Sequence, residues 1–179
     1  MSVRIAGGTL RGYELKTLPG TNTRPTTGKV RESIFSILQH DLPGAVVLDI
    51  FAGSGALAIE AVSRGAADAV MIEKKAQAAA VIKANLEKCD LKLRLLQVDF
   101  KKGLAILKEE GQRFDLIFAD PPYGLIDPVK LDLMVCEQGL INSGGFLIME
   151  HAGDLVVKAD NVIKSRRFGD SAITIFSHE

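Results

Sequence analysis

Short apolar runs alternate with helically spaced segments along most of the chain, and this pattern strongly limits its possible folds. The apolar runs cover residues 46–50, 69–73, 93–98, 114–119, 145–150, 161–166 and 172–177. The helical segments cover 56–64, 75–88, 101–110 and 128–140, with Gly65, Gly111 and Gly139 as expected stops. This alternation predicts a doubly wound, mostly parallel α/β sheet of seven strands. Only Gly169-Asp170 separates the last two runs, so we expect a hairpin with an antiparallel strand.

A glycine-rich turn follows the first apolar run. Gly53, Gly55 and Ala58 fit the pattern G-x-G-x-x-A, and Glu73 follows Gly53 by twenty positions. This pattern also fits a dinucleotide-binding turn with the acid on a ribose hydroxyl, or a purely structural turn. Asp49 favours S-adenosylmethionine over NAD, because a carboxylate there would repel a pyrophosphate but attract a sulfonium and an ammonium.

Four acids, Asp49, Glu73, Asp99 and Asp120, stand at or beside the ends of successive predicted strands. Ligands of open parallel sheets bind at this edge, near the switch in strand order. We expect Glu73 to accept from the ribose hydroxyls, and Asp99 to accept from the adenine amine with Phe100 on the ring. Each acid could instead cap the following helix. The predicted cofactor-binding residues here are Asp49, Phe51, Ala52, Gly53, Gly55, Glu73, Asp99 and Phe100.

The tetrapeptide Asp120-Pro121-Pro122-Tyr123 follows the fourth apolar run. A carboxylate and a backbone carbonyl can accept both hydrogens of an exocyclic base amine and orient its nitrogen for methyl transfer. Two prolines stiffen the turn and remove N–H donors, and the tyrosine ring offers a stacking face. These four residues are the predicted catalytic residues, although a proline turn that merely ends a buried strand has the same local pattern.

The first 31 residues are strongly basic. They hold six Lys and Arg residues against one Glu, a net charge of +5, so the rest of this neutral chain carries −5. We expect residues 1–22 to form a β-hairpin extension on a catalytic domain of residues 23–179. The alternative is a charged edge strand that resists aggregation. The expected contacts to nucleic-acid phosphates are Arg4, Arg11, Lys16 and Arg24.

A loop with the sequence Arg24-Pro25-Thr26-Thr27 precedes an amphipathic helix that begins near Val30. Thr26 or Thr27 would be a suitable N-cap for this helix. The same loop could close over the bound cofactor, so both threonines are also predicted cofactor contacts. The sequence alone leaves both interpretations open.

The composition fits one globular domain, since the chain has 179 residues and is 47% apolar. No apolar run approaches the ~20 residues of a membrane span, and the first residues do not resemble a signal peptide. Cys89 and Cys136 are far apart, and the three histidines are scattered. We therefore expect no metal site, no disulfide and a cytoplasmic location. Nothing in the sequence resembles a dimerisation seam, so we also expect a monomer.

The chain resembles the bacterial RsmD-type methyltransferases along nearly its whole length. The matching stretches are 4–8, 10–12, 24–27, 30–35, 48–58, 63–66, Glu73, Asn85, 120–123 and 168–171. Ile50 and Ile59 are mild departures, standing where leucine is common. The resemblance implies a Rossmann-like class I methyltransferase fold and S-adenosylmethionine as methyl donor. It further implies the N2 amine of a guanine in 16S ribosomal RNA as acceptor, in an assembled or nearly assembled small subunit, with the basic hairpin docking RNA.

Other functions share parts of this pattern. Adenine-N6 and cytosine-N4 DNA methyltransferases also carry the D-P-P-Y motif, although this chain has no room for a separate recognition domain. A protein-glutamine methyltransferase would more usually carry Asn in place of Asp120. A nicotinamide oxidoreductase and a non-catalytic S-adenosylmethionine-binding assembly factor for RNA are the remaining alternatives.

Overall fold

The computed structural model of the protein describes residues 2–18 and 28–179. The predicted site residues Arg24, Thr26 and Thr27 therefore lie outside the described residues. The strands are β1 Ser2–Arg4, β2 Glu14–Lys16, β3 Val46–Asp49, β4 Asp68–Ile72, β5 Arg94–Leu96, β6 Phe114–Ala119, β7 Ile141–Ala152, β8 Val162–Phe168 and β9 Ser171–Ser177. The helices are α1 Gly28–Ile37, α2 Ala56–Ser63, α3 Ala76–Lys88, α4 Phe100–Glu109 and α5 Pro128–Glu137.

Strands β3 to β9 form one seven-stranded sheet in the order β5-β4-β3-β6-β7-β9-β8. The first five of these strands are mutually parallel, and β9 runs antiparallel to both β7 and β8. The doubly wound sheet and its antiparallel C-terminal hairpin are therefore confirmed. The chain leaves β3 toward β4 and later returns to pair β6 on the other side, so the switch in strand order lies between β3 and β6.

Two apolar cores cover the two faces of the sheet. Helices α1, α2 and α3 pack on one face, where Ile34, Phe35 and Ile82 are almost fully buried. Helices α4 and α5 pack on the other face, with Leu104 and Leu131 at its centre. Both faces of the central strands are thus covered, which explains why these strands are continuously apolar rather than alternating. Among the described residues, no helix is long and apolar enough to span a bilayer.

Most element bounds fall within one or two residues of the predicted ones, but β7 begins earlier than expected. Residues 145–150 were predicted, whereas the strand starts at Ile141, and its register against β6 shifts before Phe146. Gly144 has φ +78°, and a Cβ on Gly145 would lie 2.8 Å from the Asp115 carbonyl oxygen. This irregular start requires glycines, which break the apolar pattern on which the prediction depended.

The predicted N-terminal hairpin is formed by β1 and β2, which pair antiparallel. It packs against α2, because the Thr9 N–H donates to the Ser63 carbonyl at 2.8 Å and the Ser63 hydroxyl donates to the Gly7 carbonyl at 2.6 Å. Gly8 has φ +80°, and a Cβ there would lie 1.8 Å from the Ser63 carbonyl oxygen. The buried Ile5 side chain further joins the hairpin to the core. The hairpin is therefore fixed on the body of the protein.

Candidate active site

A cavity of ≈ 290 Å³ opens at the carboxyl edge of the sheet, at the switch in strand order. The acids that follow β4, β5 and β6, which are Glu73, Asp99 and Asp120, converge here, as the strand pattern predicts. Eight of the predicted site residues line it: Phe51, Ala52, Gly53, Glu73, Asp99, Phe100, Asp120 and Pro122. Gly55 and Asp49 are not part of this lining. Gly55 is the N-cap residue of α2 with φ +78°, and Asp49 is buried at the end of β3.

Asp49 is a buried carboxylic acid with unusual electrostatics. Its side chain is 1% exposed, and neither oxygen makes a hydrogen bond of normal geometry with a described residue. Burial raises the pKa of Asp49 to about 8, the negative charges of Asp120 and Glu73 add to this rise, and the Ala58 N–H opposes it. A carboxylate that is desolvated and crowded by like charges is stabilised by a nearby cation. The end of β3 is therefore suited to a positively charged ligand.

Glu73 joins the glycine turn to the loop after β4. One of its carboxylate oxygens accepts the Gly53 N–H at 2.9 Å, and the other accepts the Lys75 N–H at 2.7 Å. Each carboxylate oxygen has a second lone pair, so both can still accept a hydroxyl from a ligand in the cavity. The two backbone bonds fix the direction of the carboxylate, and this supports the predicted contact with a diol such as a ribose.

Asp99 and Phe100 form the wall beyond β5. Asp99 is the N-cap of α4, because its side chain accepts the Lys101 N–H at 3.1 Å, and Lys74 Nζ lies 3.4 Å from its other oxygen. The capping interpretation is thus correct for one oxygen, while the residue also lines the cavity. The Phe100 ring packs against Phe51 with their centroids 5.0 Å apart. The two rings give the cavity an apolar wall next to an acceptor, as an adenine base requires.

The D-P-P-Y turn separates this cavity from a second one of ≈ 260 Å³. Asp120 lines the first cavity, Pro121 and Tyr123 line the second, and Pro122 lines both. Tyr123 is 52% exposed, so its ring offers a face to a partner from solution. The predicted catalytic residues therefore stand between two cavities, one suited to a cofactor and one open to an acceptor.

Sequence reasoning missed the part of the cavity that comes from the N-terminal hairpin and from α1. Val3, Thr17, Leu18 and Arg31 line the cavity. Arg31 belongs to the stretch 30–35 that matches the family, but the sequence indicates no role at the site for any of the four. The hairpin brings Val3, Thr17 and Leu18 to the sheet edge, and α1 brings Arg31. Asn85 makes part of this connection, because its amide donates to the Lys16 carbonyl at 3.0 Å and to the Ser54 carbonyl at 2.9 Å. Asn85 is fully buried, and its match to the family was the signal that the sequence offered.

The basic segment is less uniform than its composition suggests. Arg4, Arg11 and Lys16 are exposed on the hairpin, and Arg4 pairs with Glu14. Among the described residues, Arg11 and Lys16 make no salt bridge through their side chains. Arg31, which was counted in the basic segment, is buried and donates to Glu60 at 2.8 Å and to the Arg4 carbonyl at 2.6 Å. Its charge is therefore committed to the fold.

The cavity fits S-adenosylmethionine better than a dinucleotide. The unsatisfied Asp49 carboxyl suits a sulfonium and an ammonium, and a pyrophosphate beside three acids would be repelled. Glu73, Asp99 and Phe100 could hold the ribose and adenine. Within residues 2–18 and 28–179, no group of three or more His, Cys, Asp or Glu side chains is placed to hold a metal ion.

Replacing Glu73 with alanine should weaken S-adenosylmethionine binding by ~1 to 3 kcal/mol, because a charged hydrogen-bond acceptor is lost. Calorimetric titration would measure this change. Glu73→Gln is the matched control, since the amide keeps one acceptor for the Gly53 or Lys75 N–H, and it should bind more tightly than the alanine variant. Unchanged affinity in Glu73→Ala would remove Glu73 from the cofactor site.

The chain is similar to known proteins along most of its length. The chain is 30% identical to the ribosomal RNA small subunit methyltransferase D of Haemophilus influenzae over 85% of this chain and 80% of that protein. It is 38% identical to the Escherichia coli K12 protein of the same name over 70% of this chain and 63% of that protein, slightly less than two thirds of its length. The solved structure of a hypothetical protein from Thermus thermophilus is 32% identical with a TM-score of 0.85, covering 98% of this chain and 99% of that one.

The match to a sequence family covers almost the entire chain. The family model described as Conserved hypothetical protein 95 matches residues 3–177, which include the hairpin, the glycine turn and the D-P-P-Y turn. The resemblance noted from the sequence and the Rossmann-like class I fold are both confirmed. The chain belongs to the RsmD-type family of S-adenosylmethionine-dependent methyltransferases.

Proposed function

We propose that this protein transfers a methyl group from S-adenosylmethionine to the exocyclic N2 amine of a guanine in 16S ribosomal RNA. The observation that carries the proposal is the position of Asp120, which lines the cofactor cavity while the adjoining Pro121 and Tyr123 line a second cavity. The family relatives named small subunit methyltransferase D support ribosomal RNA as the substrate. Action on the small subunit further implies a cytoplasmic location, and we infer a monomer.

The bound cofactor would supply an electrophilic methyl group on a sulfonium. The chain itself would hold the cofactor through Asp49, Phe51, Ala52, Gly53, Gly55, Glu73, Asp99 and Phe100. Asp120 and the Pro121 carbonyl would accept the two hydrogens of the guanine amine, which directs the nitrogen lone pair toward the methyl group. The Asp120 carboxylate also opposes the positive charge that grows on nitrogen and is placed to take the released proton. Tyr123 would stack on the base once it is turned out of its helix.

The N-terminal hairpin, assigned to residues 1–22 beside the catalytic domain 23–179, would dock the RNA through phosphate contacts. Exposed Arg4, Arg11 and Lys16 stand on it, and Arg24, outside the described residues, belongs to the same proposal by sequence alone. Because the hairpin is fixed to α2 and α3, RNA held by it has a defined position relative to the cavity. Such contacts give affinity without reading the base sequence.

The double variant Arg11→Gln, Lys16→Gln should bind small-subunit RNA more weakly at every sequence, and its salt dependence should fall by about one unit of slope per lost phosphate contact. Filter binding between about 50 and 200 mM salt would measure both effects. Lys108→Gln, an exposed lysine in the last turn of α4, is the control and should leave the slope unchanged. An unchanged slope in the double variant would exclude these two residues as phosphate contacts.

The proposed reaction is tested by the transfer of labelled methyl from S-adenosylmethionine to small ribosomal subunits that lack their own guanine methylation. Free 16S RNA and plasmid DNA serve as parallel substrates, and each product is digested to nucleosides. Label in N2-methylguanosine from subunits or RNA, with none from DNA, is the expected result. Label in N6-methyladenine or N4-methylcytosine from DNA would show that DNA, not ribosomal RNA, is the substrate. This result would leave the fold and the proposed cofactor site unaffected.

A further inference from the structure

The second cavity contains a buried acid that the proposed reaction does not yet use. The cavity lies against Tyr123 at the carboxyl end of β7, and Glu150 and His151 are part of its lining. Both residues are buried, with Glu150 6% and His151 4% exposed. A carboxylate that is so deeply buried costs free energy to retain. Glu150 lies in the cavity that is open to the acceptor, next to the D-P-P-Y turn, so a functional reason for this buried acid is expected.

Asp120 directly follows β6, and continuing the register of β6 and β7 by one residue beyond the last pair, Ala119 and Met149, places Glu150 beside it. Phe118 on β6 pairs with Ile148 on β7, and both belong to the core under α1. Side chains two residues further along parallel strands point to the same face, so Asp120 and Glu150 follow as neighbours on that face. Adjacent strands are about 4.8 Å apart. Glu150 also pairs with Ile173 of β9, which lies in the same core.

His151 is already committed to the fold. Its Nδ1 lies 2.9 Å from the Ala152 carbonyl, which can only accept, so this nitrogen donates. The Nε2 then accepts from the Thr174 hydroxyl at 2.8 Å. Burial lowers the pKa of His151, and the Ala152 carbonyl opposes this shift, so the neutral ring is favoured. His151 therefore fixes the end of β7. Two acids line the second cavity, Asp127 and Glu150. Asp127 is the N-cap of α5 and accepts the Lys130 N–H at 3.1 Å, so Glu150 is the better candidate to contact a base.

Guanine presents a donor next to its reactive amine. Its N1 carries a hydrogen, whereas N1 of adenine and N3 of cytosine are acceptors that a carboxylate repels. Resting on the function proposed above, we propose that Glu150 is the specificity-determining residue, accepting the guanine N1–H while Asp120 and the Pro121 carbonyl hold the N2 amine. Asp120, directly after β6, and Glu150 on β7 would thus have different roles. Asp120 directs the reacting nitrogen, and Glu150 admits only a base with a donor beside it.

The test uses reconstituted small subunits in which the guanosine that the wild-type enzyme labels is replaced by 2-aminopurine. This base keeps the 2-amine, but its N1 is an acceptor. We expect the wild type to methylate guanine about 100-fold or more faster than 2-aminopurine in kcat/KM, since a site built for a donor rejects its absence. Glu150→Gln should reduce guanine activity, because the charged acceptor is lost, and bring the ratio to about tenfold or below, because its amide can also donate to the 2-aminopurine N1.

Controls separate this role from a structural one. Asp115→Asn changes an acid at the opposite end of β6 and should retain the wild-type ratio. Glu150→Gln should also retain wild-type affinity for S-adenosylmethionine by calorimetry. An unchanged ratio in Glu150→Gln, or lost cofactor affinity, would overturn the inference. Equal rates of the wild type on both bases would do so without any variant, and this comparison holds even if the variant fails to fold. Absence of label from guanine subunits would instead refute the proposed function.

Discussion

Replacing Asp120 with alanine should reduce methyl transfer about 10²- to 10³-fold while leaving S-adenosylmethionine binding in place. Asp120 is the acid of the D-P-P-Y turn that lines the cofactor cavity, so its carboxylate lies where the amine must approach. Without it, one amine hydrogen loses its acceptor and the growing positive charge loses its counter-charge. Single-turnover transfer to small subunits, measured beside calorimetric titration of the cofactor, separates the chemical step from binding.

Two matched variants sharpen the interpretation of this result. Asp120→Asn keeps the shape and one acceptor but no charge, so its rate should lie between those of the alanine variant and the wild type. Asp115→Asn alters an acid on the same strand that bonds the Val46 N–H and the Asn142 amide at the opposite edge, and it should transfer methyl normally. Turnover by Asp120→Ala at the wild-type rate would show that our assignment of its role is wrong.

The fold was largely predictable because local signals and tertiary structure agree. Gly65, Gly111 and Gly139 follow helix ends with φ between +65° and +109°, a backbone region that other residues rarely adopt. The acids after consecutive strands converge because parallel strands end at one edge. Both signals can be recognised in the sequence once the alternation of strands and helices is established.

The missed features depend on contacts between distant parts of the chain. In the sequence, Arg31 is counted as one more positive charge in a basic segment. In the structure, Glu60, 29 residues away, neutralises this charge in the core. The same carboxylate bonds Arg64, whose guanidinium lies 4.9 Å from the centre of the Phe35 ring. Asn85 bonds Lys16 across 69 residues and thereby attaches the hairpin to the glycine turn. No periodicity or motif encodes such pairings.

The acid Asp49 should make the unliganded protein less stable as the pH rises. Its pKa is about 8 in the folded state against 3.8 for an ordinary Asp, so between these values the unfolded chain has lost a proton that the folded protein keeps. The free energy of unfolding therefore falls from about pH 4 to about pH 8 and is flat above, with an upper limit of about 6 kcal/mol for this group. Asp49→Asn removes this titration.

We therefore expect Asp49→Asn to be more stable than the wild type without ligand, by a margin that grows with pH and reaches at least about 2 kcal/mol at about pH 8.5. Urea unfolding at several pH values from about 5 to 8.5 would measure it. Acids remote from Asp49 are present in both proteins and contribute equally to the two curves, so the comparison isolates the substituted group and its immediate neighbours. A constant difference across this range would show that the Asp49 carboxyl does not titrate as its burial requires.

The same substitution should have the opposite effect on the liganded protein, because a cation can bind well only to ionised Asp49. Wild-type affinity for S-adenosylmethionine should rise by up to about tenfold per pH unit below about pH 8, relative to Asp49→Asn. Titration of the cofactor itself is common to both proteins. Calorimetry at several pH values between about 6 and 8 measures how the affinity of each protein for the cofactor changes with pH. Equal slopes for the two proteins would show that Asp49 does not interact with the charge of the cofactor. A residue whose removal stabilises the empty protein but weakens its complex is retained for binding, since the fold alone would favour its loss.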